Sequence, residues 1–308
     1  MIDRRGAIVG AAVTLLAGCG QGRLSALGKT GGNLSSHVEG LRRIEQAARG
    51  RLGAFILDPA SGTSFGWREN ERFTHCSSFK LSLAAMLLAG ADKGTLDLDE
   101  ILHWQKADVL SYSPVTSKNI SGGLTVRELA RAALVTSDNT AANTLLRRFG
   151  GPEALTRFWR AAGDKVSRLD RYEPELNHTP PGTALDTTTP AAMAQTVGKL
   201  VTGDILEPAS RTVLREWMMA VSTGRKRIRA GFPADWVAGD KTGTGIGETR
   251  HTYADLAFGG PKGAPPVIVA AYFEPERLAP PIDAVSEGAL ADVGRLAAAA
   301  FPFHGGRA

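Results

Sequence analysis

A serine and a lysine three positions apart are the first residues in this sequence that could do chemistry. Ser77 and Lys80 stand at the head of the run FKLSLAAMLLAGA, in which Lys80 is the only charged side chain. The run predicts a buried helix that begins at or just before Ser77, and positions three apart share a helix face. Because burial disfavours a charged lysine, the Lys80 amine could accept the Ser77 proton and create a nucleophile. A serine that only caps a core helix fits the same pattern.

Composition narrows the classes of protein that need to be considered. The chain has 308 residues, 43% of them hydrophobic, and a formal charge of +5. This is enough to bury the core of one large or two intimate domains. Basic residues are dispersed without interleaved aromatics, so a nucleic-acid partner is not indicated. The histidines are scattered without metal-ligand spacing, so we expect no metal site and no cofactor, and we expect a monomer.

The N-terminus has the pattern of an export signal. An arginine pair precedes a short stretch of apolar and small residues that ends in LAGC at Cys19. This predicts a signal peptide over residues 1–18, and the ending resembles a bacterial lipobox. The resemblance implies a lipid on Cys19, a membrane anchor and a periplasmic location, with twin-arginine export open. An ordinary cleaved signal with a coincidental cysteine is the alternative. The Gly/Ser-rich residues 19–35 predict a flexible tether.

Periodicity and turn residues divide the rest of the chain into elements. Strands are predicted at 52–58 and 64–67, which form a hairpin, and at 237–242, 255–258 and 267–272. Helices are predicted at 36–50, from 77 to about 91, after a Thr-x-x-Glu capping box at 125–128, after 139, and at 152–162, 190–203, 207–222 and 283–299. Residues 164–189 have no periodicity, and so long a loop is usually functional or disordered.

The order of these elements predicts the fold class. Strands at both ends with helices between them indicate an antiparallel sheet built from both termini, with an all-helical insertion. We therefore predict an α/β plus all-α protein. Its main domain would span 36–308, with the α/β part at about 36–73 and 223–308 and the helical part at about 74–222.

Two further motifs follow the first in chain order. Ser137-Asp138-Asn139 lies at the predicted joint between two helices, and Lys241-Thr242-Gly243 lies on a late strand. Small residues on that strand would let a substrate backbone approach, and Lys241 would supply a positive charge. Each motif alone is common by chance. Together with Ser77-x-x-Lys80 they are shared by class A β-lactamases and penicillin-binding proteins.

From about residue 36 onward the chain resembles a class A serine β-lactamase, within the β-lactamase and penicillin-binding transpeptidase-like fold. The segment RYEPELN, residues 171–177, resembles the omega loop that separates class A from the related peptidases. The resemblance implies that Glu173 and Asn177 hold the water that attacks the acyl-enzyme, while Arg171 and Asp186 clamp the loop. A fast hydrolase does need such a base beside a water, because its ester intermediate is otherwise long-lived.

The resemblance also implies the remaining roles. The substrate is a β-lactam, and the backbone N–H groups of Ser77 and Thr244 would bind the tetrahedral oxygen. Ser137 would relay a proton to the departing nitrogen, and Asn139 would hold the substrate's side-chain amide. Trp104 matches an aromatic residue at the entrance that stacks on substrate. Whether Lys80 or Glu173 takes the Ser77 proton stays open.

Two places depart from the family pattern. The connection IGETRHTY, residues 246–253, is a few residues longer than usual, so the arginine that binds the substrate carboxylate is either Arg227 or Arg250. We expect the larger contribution from Arg227, whose surroundings match the family better. Class A carbapenemases pair the cysteine before the nucleophile with a second cysteine. Here Gly245 stands opposite Cys76, which argues against that subgroup.

Two alternatives to a β-lactamase remain at this point. A D-alanyl-D-alanine carboxypeptidase or transpeptidase shares the first three motifs, but it has no reason to carry the loop around Glu173. A non-catalytic surface lipoprotein would use the anchor alone.

Overall fold

The computed structural model describes residues 24–278 and 282–301, with side chains from residue 34 onward. The predicted signal peptide and Cys19 lie outside these residues. The α-helices of this part are α1 (Leu24–Ala48), α2 (Phe79–Asp92), α3 (Val126–Val135), α4 (Asn139–Arg148), α5 (Gly151–Ala161), α6 (Pro190–Val201), α7 (Pro208–Met219), α8 (Ile228–Gly231) and α9 (Ala284–Ala300). Its strands are β1 (Gly50–Leu57), β2 (Ser64–Trp67), β3 (Phe73–Thr74), β4 (Ile101–Leu102), β5 (Leu124–Thr125), β6 (Thr187–Thr188), β7 (Trp236–Ile246), β8 (His251–Pro261) and β9 (Val267–Pro275).

The main sheet joins the two ends of the chain. Its order is β2-β1-β9-β8-β7, and every neighbouring pair is antiparallel. Strands β8 and β9 are buried on both faces, which explains why β9 begins with the continuous apolar run VIVAAYF and not with an alternating pattern. The predicted fold class is confirmed, with helices α2 to α7 inserted between β3 and β7.

Side chains of the sheet alternate between two apolar layers. Leu256, Ala270 and Tyr272 belong to the core shared with the inserted helices, whereas Val269 and Phe273 point to the opposite face. Helix α9 packs on that opposite face against β9. The sheet is therefore covered on both sides, so the edge strand β7 is held firmly where it meets the inserted helices.

Some boundaries differ from the predictions. Helix α1 begins at Leu24 and not near residue 36, so residues 24–35 are helical where a flexible tether was predicted. The Gly/Ser content that suggested a tether costs helix stability but does not forbid a helix. Strand β8 extends from His251 to Pro261, well beyond the predicted 255–258. No helix within the described residues has both the length and the apolar character needed to cross a membrane.

Candidate active site

Ser77 lies in a tight turn that leads directly into helix α2. Residues Cys76–Ser78 form one 3-10 turn, and Cys76 has a left-handed backbone with φ +46°. Strand β7 packs against this turn at Gly243, where a Cβ atom would lie 2.7 Å from the His75 carbonyl oxygen and 3.0 Å from the Ser78 nitrogen. Only glycine fits so close an approach. The predicted start of the helix is confirmed, and the third motif meets the first.

Lys80 is fully buried one turn above Ser77. Its Nζ donates to Ser77 Oγ at 2.9 Å, to the Ser137 carbonyl at 2.9 Å and to Asn139 Oδ1 at 2.5 Å. Burial lowers the pKa of Lys80, and the nearby Glu173 carboxylate opposes that shift. The amine thus connects the first two motifs through direct contacts.

Glu173 closes the cluster from the loop side. Its Oε1 accepts a hydrogen bond from Ser77 Oγ at 3.1 Å and lies 2.9 Å from Lys80 Nζ. Its Oε2 accepts from Asn177 Nδ2 at 2.5 Å. Both charged side chains of the Lys80–Glu173 pair are excluded from solvent. Ser77 therefore has two candidate proton acceptors within hydrogen-bond reach.

The backbone of Glu173 is held by a residue that sequence reasoning missed. Asn143 donates through Nδ2 to the Glu173 carbonyl at 2.8 Å and accepts from the Glu173 N–H at 2.9 Å. Asn143 follows Asn139 by four residues in α4, so the two share a helix face. That spacing was the available signal.

The predicted clamp of the loop is present. Arg171 Nε lies 2.6 Å from Asp186 Oδ2, and Asp186 Oδ1 accepts from the backbone N–H groups of Asp170 and Arg171. Arg171 also donates to the His178 carbonyl at 2.8 Å. The two ends of the loop are therefore tied across its base, which limits how far Glu173 can move.

Asp138 fixes the second motif although it does not enter the cleft. Its buried carboxylate accepts hydrogen bonds from the Ala141 N–H at the start of α4 and from the Thr116 N–H and hydroxyl. The Val115 N–H donates to the same carboxylate at 2.9 Å. Asp138 thereby joins the start of α4 to the segment that precedes β5.

The residues on either side of Asp138 are held by backbone contacts. Ser137 has a left-handed backbone with φ +61°, and its carbonyl is one of the acceptors of Lys80. The Asn139 N–H donates to the Tyr112 carbonyl at 2.9 Å. These contacts fix the backbone of the second motif beside the Ser77–Lys80 pair.

On the strand side, Lys241 is also fully buried. Its Nζ donates to Ser137 Oγ at 3.1 Å and to the Thr242 carbonyl at 2.7 Å. Burial, and after it the positive charge of Lys80, lowers the pKa of Lys241 to about 7. The Thr242 hydroxyl is hydrogen-bonded to that of Thr223 at 2.6 Å, and Thr223 is a second residue that sequence reasoning missed.

The two candidate arginines occupy different places. Arg227 lines the cleft, is only 5% exposed, and donates to Thr244 Oγ1 at 2.7 Å and to the carbonyls of Gly243 and Ala254 at 2.9 and 3.0 Å. Arg250 has a side chain that is 51% exposed, and its nearest acidic partner is Glu274 at 3.8 Å. It lines a neighbouring hollow and not the cleft. This geometry agrees with the preference for Arg227.

Ser77 and several of the groups around it line one open cleft of about 480 Å³. It is lined by Ser77, Tyr112, Ser137, Asn139, Asn177, Thr223, Arg227, Thr242, Thr244, Ile246, Ile282 and Glu287. Residues of the inserted helical part and of the C-terminal part meet here, and each of the three motifs contributes to the lining.

The prediction that Trp104 lies at the entrance of the cleft is wrong. Its side chain is packed in the core of the inserted helices, and its Nε1 donates to the Thr116 carbonyl at 3.2 Å. The aromatic residue that lines the cleft is Tyr112, which is half exposed. An indole whose N–H is hydrogen-bonded is stable in a core, which explains the burial of Trp104. Tyr112 lies in a polar segment before Ser113 and Pro114, and the polarity of that segment was the available signal for its exposure.

Cys76 and Gly245 are in direct contact across the same edge. A Cβ atom at Gly245 would lie 2.8 Å from Cys76 Sγ, so the two positions face each other as expected. Cys76 is a buried free thiol with no disulfide partner among the described residues. Neither is there a group of three or more potential metal ligands within that part of the chain.

Comparisons with known proteins identify the family. A model of the β-lactamase enzyme family matches residues 37–301. The chain is 41% identical to β-lactamase AST-1 of Nocardia asteroides over 87% of each chain, and 44% identical to β-lactamase L2 of Stenotrophomonas maltophilia over 82% of each. A solved ancestral class A β-lactamase superposes with a TM-score of 0.81 at 48% identity, covering 86% of this chain and all of the other. Together with the geometry around Ser77, these matches show that the chain belongs to the β-lactamase enzyme family, as a class A serine β-lactamase.

Proposed function

We propose that this β-lactamase opens the lactam amide of penicillins and cephalosporins through an acyl-enzyme on Ser77, and that Glu173 activates the water that removes the acyl group. One observation carries the proposal. Ser77 Oγ lies 2.9 Å from Lys80 Nζ and 3.1 Å from Glu173 Oε1, inside a cluster whose two charged side chains are excluded from solvent. A nucleophile with two bases in reach suits a reaction of two successive proton transfers.

The contacts of Lys80 favour Glu173 as the first acceptor. Lys80 Nζ has four acceptors within 2.9 Å, namely Ser77 Oγ, Ser137 O, Asn139 Oδ1 and Glu173 Oε1. A charged ammonium carries three donors, and this environment uses all of them. The Ser77 hydroxyl then directs its own hydrogen to Glu173. In this form Lys80 orients Ser77 and supports the charge that develops on its oxygen.

The groups for the next step lie on the other side of Ser77. Ser137 Oγ is 3.1 Å from Lys241 Nζ, so that hydroxyl can pass its proton to the departing lactam nitrogen and take one from the Lys241 ammonium in its place. The backbone N–H groups of Ser77 and Thr244 would receive the carbonyl oxygen, because the two residues line the same cleft.

Deacylation depends on the position of Glu173. Its backbone is fixed by Asn143, its Oε2 by Asn177, and its loop by the Arg171–Asp186 ion pair. A carboxylate held in this way can polarise a water beside the ester without first having to reorganise. A penicillin-binding peptidase has no need of such a fixed carboxylate, and the family assignment agrees with that distinction.

Substrate capture falls to the strand side. Thr242 and Arg227 line the cleft, and Lys241 is hydrogen-bonded to Ser137, which also lines it. One hydroxyl, one guanidinium and one ammonium are therefore available to the carboxylate of a β-lactam. Asn139 and Tyr112 also line the cleft, where an amide and an aromatic ring can hold the acylamino side chain of the substrate.

The experiment is a covalent-trapping assay with benzylpenicillin. Wild-type protein should hydrolyse the drug with no lasting adduct, and rapid quenching followed by peptide mapping should find the acyl group on Ser77. Ser77→Ala should lose both adduct and turnover, whereas the matched control Ser82→Ala in helix α2 should keep both. An adduct that persists for hours on the wild type would indicate a penicillin-capturing protein, and full turnover by Ser77→Ala would remove Ser77 from the mechanism.

Location is a second part of the proposal. Class A β-lactamases are typically exported, and we infer that this one is held on the periplasmic side of a membrane through acyl chains on Cys19. The support is the sequence LAGC that ends at Cys19, since two or more chains give stable anchoring. Cys19→Ser should release active enzyme into the soluble fraction, while Cys76→Ser should not. Wild-type enzyme that is already soluble and carries no lipid would contradict the anchor.

A further inference from the structure

Two buried carboxyl groups on strands β7 and β8 take no part in the proposed reaction. Asp240 on β7 and Asp255 on β8 are both completely buried. Asp255 stands opposite Thr242 in the ladder and Asp240 stands opposite Ala257, so the two acids lie diagonally on one face of the sheet. Their side chains interact with each other.

These acids lie directly under the segment that reaches the cleft, residues 223–231. The Ile228 N–H, next to Arg227, donates to Asp255 Oδ2 at 3.0 Å. Arg229 Nε lies 2.7 Å from Asp240 Oδ1, and the other nitrogens of Arg229 donate to carbonyls at the end of α7. A Cβ atom at Gly224 would lie 1.3 Å from Asp240 Oδ2, so only glycine lets the segment pass over this carboxyl.

If both acids were ionised, their buried oxygens would outnumber the hydrogen-bond donors around them. Asp240 Oδ2 and Asp255 Oδ1 accept no hydrogen bond from the described residues, and Asp240 Oδ1 has only Arg229 Nε, 2.7 Å away. An ionised carboxylate in that position would leave buried acceptors unsatisfied, which is costly. One proton shared between the two acids supplies the missing donor.

The charges near the pair agree with a single shared proton. The cations that act on it are Arg229 and Arg227 from the segment above and Lys241 from β7. Arg227 is already opposed by Glu287, 3.4 Å away. Burial, followed by the charge of Asp255, raises the pKa of Asp240 well above its usual range, and burial also raises the pKa of Asp255.

We propose that Asp240 is a protonated positioning residue that donates a hydrogen bond to ionised Asp255, and that this acid pair holds Thr223 and Arg227 where they bind the substrate carboxylate. The inference rests on the proposed role of Arg227. Asp255 acts through the Ile228 N–H, and Asp240 acts through Asp255 and Arg229. Neither acid touches substrate, so their loss should change KM more than kcat.

Kinetics of three variants test the positioning. Asp240→Asn keeps one donor and one acceptor without a charge, so it should leave KM for benzylpenicillin within about twofold of wild type. Asp255→Asn removes the charged partner and should raise KM about threefold to tenfold with a smaller change in kcat, as a displaced binding group does. If Asp255→Asn does not fold, Asp240→Leu is measured in its place. Asp240→Leu removes the hydrogen-bond donor to Asp255 and should likewise raise KM. Equal damage from Asp240→Asn and Asp255→Asn would mean an ordinary ion pair with Arg229 and would overturn the proposal.

Infrared spectroscopy tests the proton independently of any role in binding. The difference spectrum between wild type and Asp240→Asn at neutral pH should contain the C=O stretch of a protonated carboxyl group. Absence of that band contradicts the shared proton, even if Arg227 binds substrate as proposed. A band that is present while Asp255→Asn and Asp240→Leu both keep the wild-type KM would leave the pair a feature of the fold and overturn its positioning role.

Discussion

The two sides of the cleft hold their charged groups in different ways. On the helical side, Ser77, Lys80 and Glu173 bond to one another within 3.1 Å, so a change in one alters the protonation and position of the others. On the strand side, half of the hydrogen bonds that Lys241 and Arg227 donate go to backbone carbonyls, which do not titrate. The first arrangement suits proton transfer and the second suits fixed charges for binding. Changes on the helical side should therefore lower kcat, and changes on the strand side should raise KM.

The largest effect is expected from removing the amine of Lys80. Lys80→Met keeps most of the side-chain volume but deprives Ser77 of its ammonium neighbour and Glu173 of its buried partner. We expect the acylation rate to fall by about 10³-fold, within the range reported for the loss of one positioned charge-stabilising donor. Stopped-flow measurement with nitrocefin checks it, with circular dichroism as the test of folding. Acylation within tenfold of wild type would show that the coupled cluster does not need the amine.

The next effect compares the two arginines. Arg227→Ala removes a guanidinium that lines the cleft and should cost roughly 1.5–3 kcal/mol of substrate binding, largely as a rise in KM. Arg250→Ala, the matched control from the neighbouring hollow, should change KM less than twofold. Steady-state kinetics on benzylpenicillin measures both. Unchanged kinetics for Arg227→Ala beside a crippled Arg250→Ala would reverse the assignment.

A smaller effect on KM is expected when the pH is changed. The pKa of Lys241 is lowered to about 7, so the amine is charged below that pH and becomes neutral as pH rises through it. Attraction for the substrate carboxylate is then lost, and KM should rise above about pH 7 while kcat changes less. Lys241→Arg keeps its charge at every working pH and should flatten the KM profile. A wild-type KM that is constant up to about pH 9 would mean that Lys241 stays charged throughout.

The smallest effects should come from the two aromatic residues. Tyr112→Ala opens one wall of the cleft and should raise KM by about threefold to tenfold, since a stacking contact is worth about 0.5–1.5 kcal/mol. Trp104→Phe should leave KM unchanged and lower the melting temperature, because the indole packs in the core. Kinetics and thermal unfolding separate the two outcomes. A higher KM for Trp104→Phe with unchanged stability would restore Trp104 to the entrance.

The sequence predicted contacts that rest on short, regular spacing. Ser77 and Lys80 are three apart at a helix start, and Lys241 lies within the predicted strand 237–242, so both were placed correctly. Trp104 failed because distance along the chain does not say which aromatic residue of an irregular segment turns inward.

Long-range contacts could not be predicted in the same way. The packing of Gly243 on the turn before Ser77, the grip of Asn143 on Glu173 and the acid pair under residues 223–231 all join segments that are distant in the chain. Spacing within one element carries no information about these distances. The early start of α1 was missed for another reason, because glycine content lowers helix propensity without fixing the structure.

The most direct test of the account is the fate of the acyl group when Glu173 is changed to glutamine. Glu173→Gln keeps the size of the side chain and a hydrogen-bonding group for Asn177, but it removes the base. Loss of the Glu173 carboxylate removes the charge that opposes the lowered pKa of Lys80, so the neutral amine can take the Ser77 proton during acylation. Intact-protein mass spectrometry after mixing with benzylpenicillin should therefore show an adduct that persists, with deacylation slower by at least about 10²-fold. The matched control Glu175→Gln, two residues along the same loop, should clear the adduct like wild type. A Glu173→Gln protein that turns over benzylpenicillin at the wild-type rate would contradict the central claim.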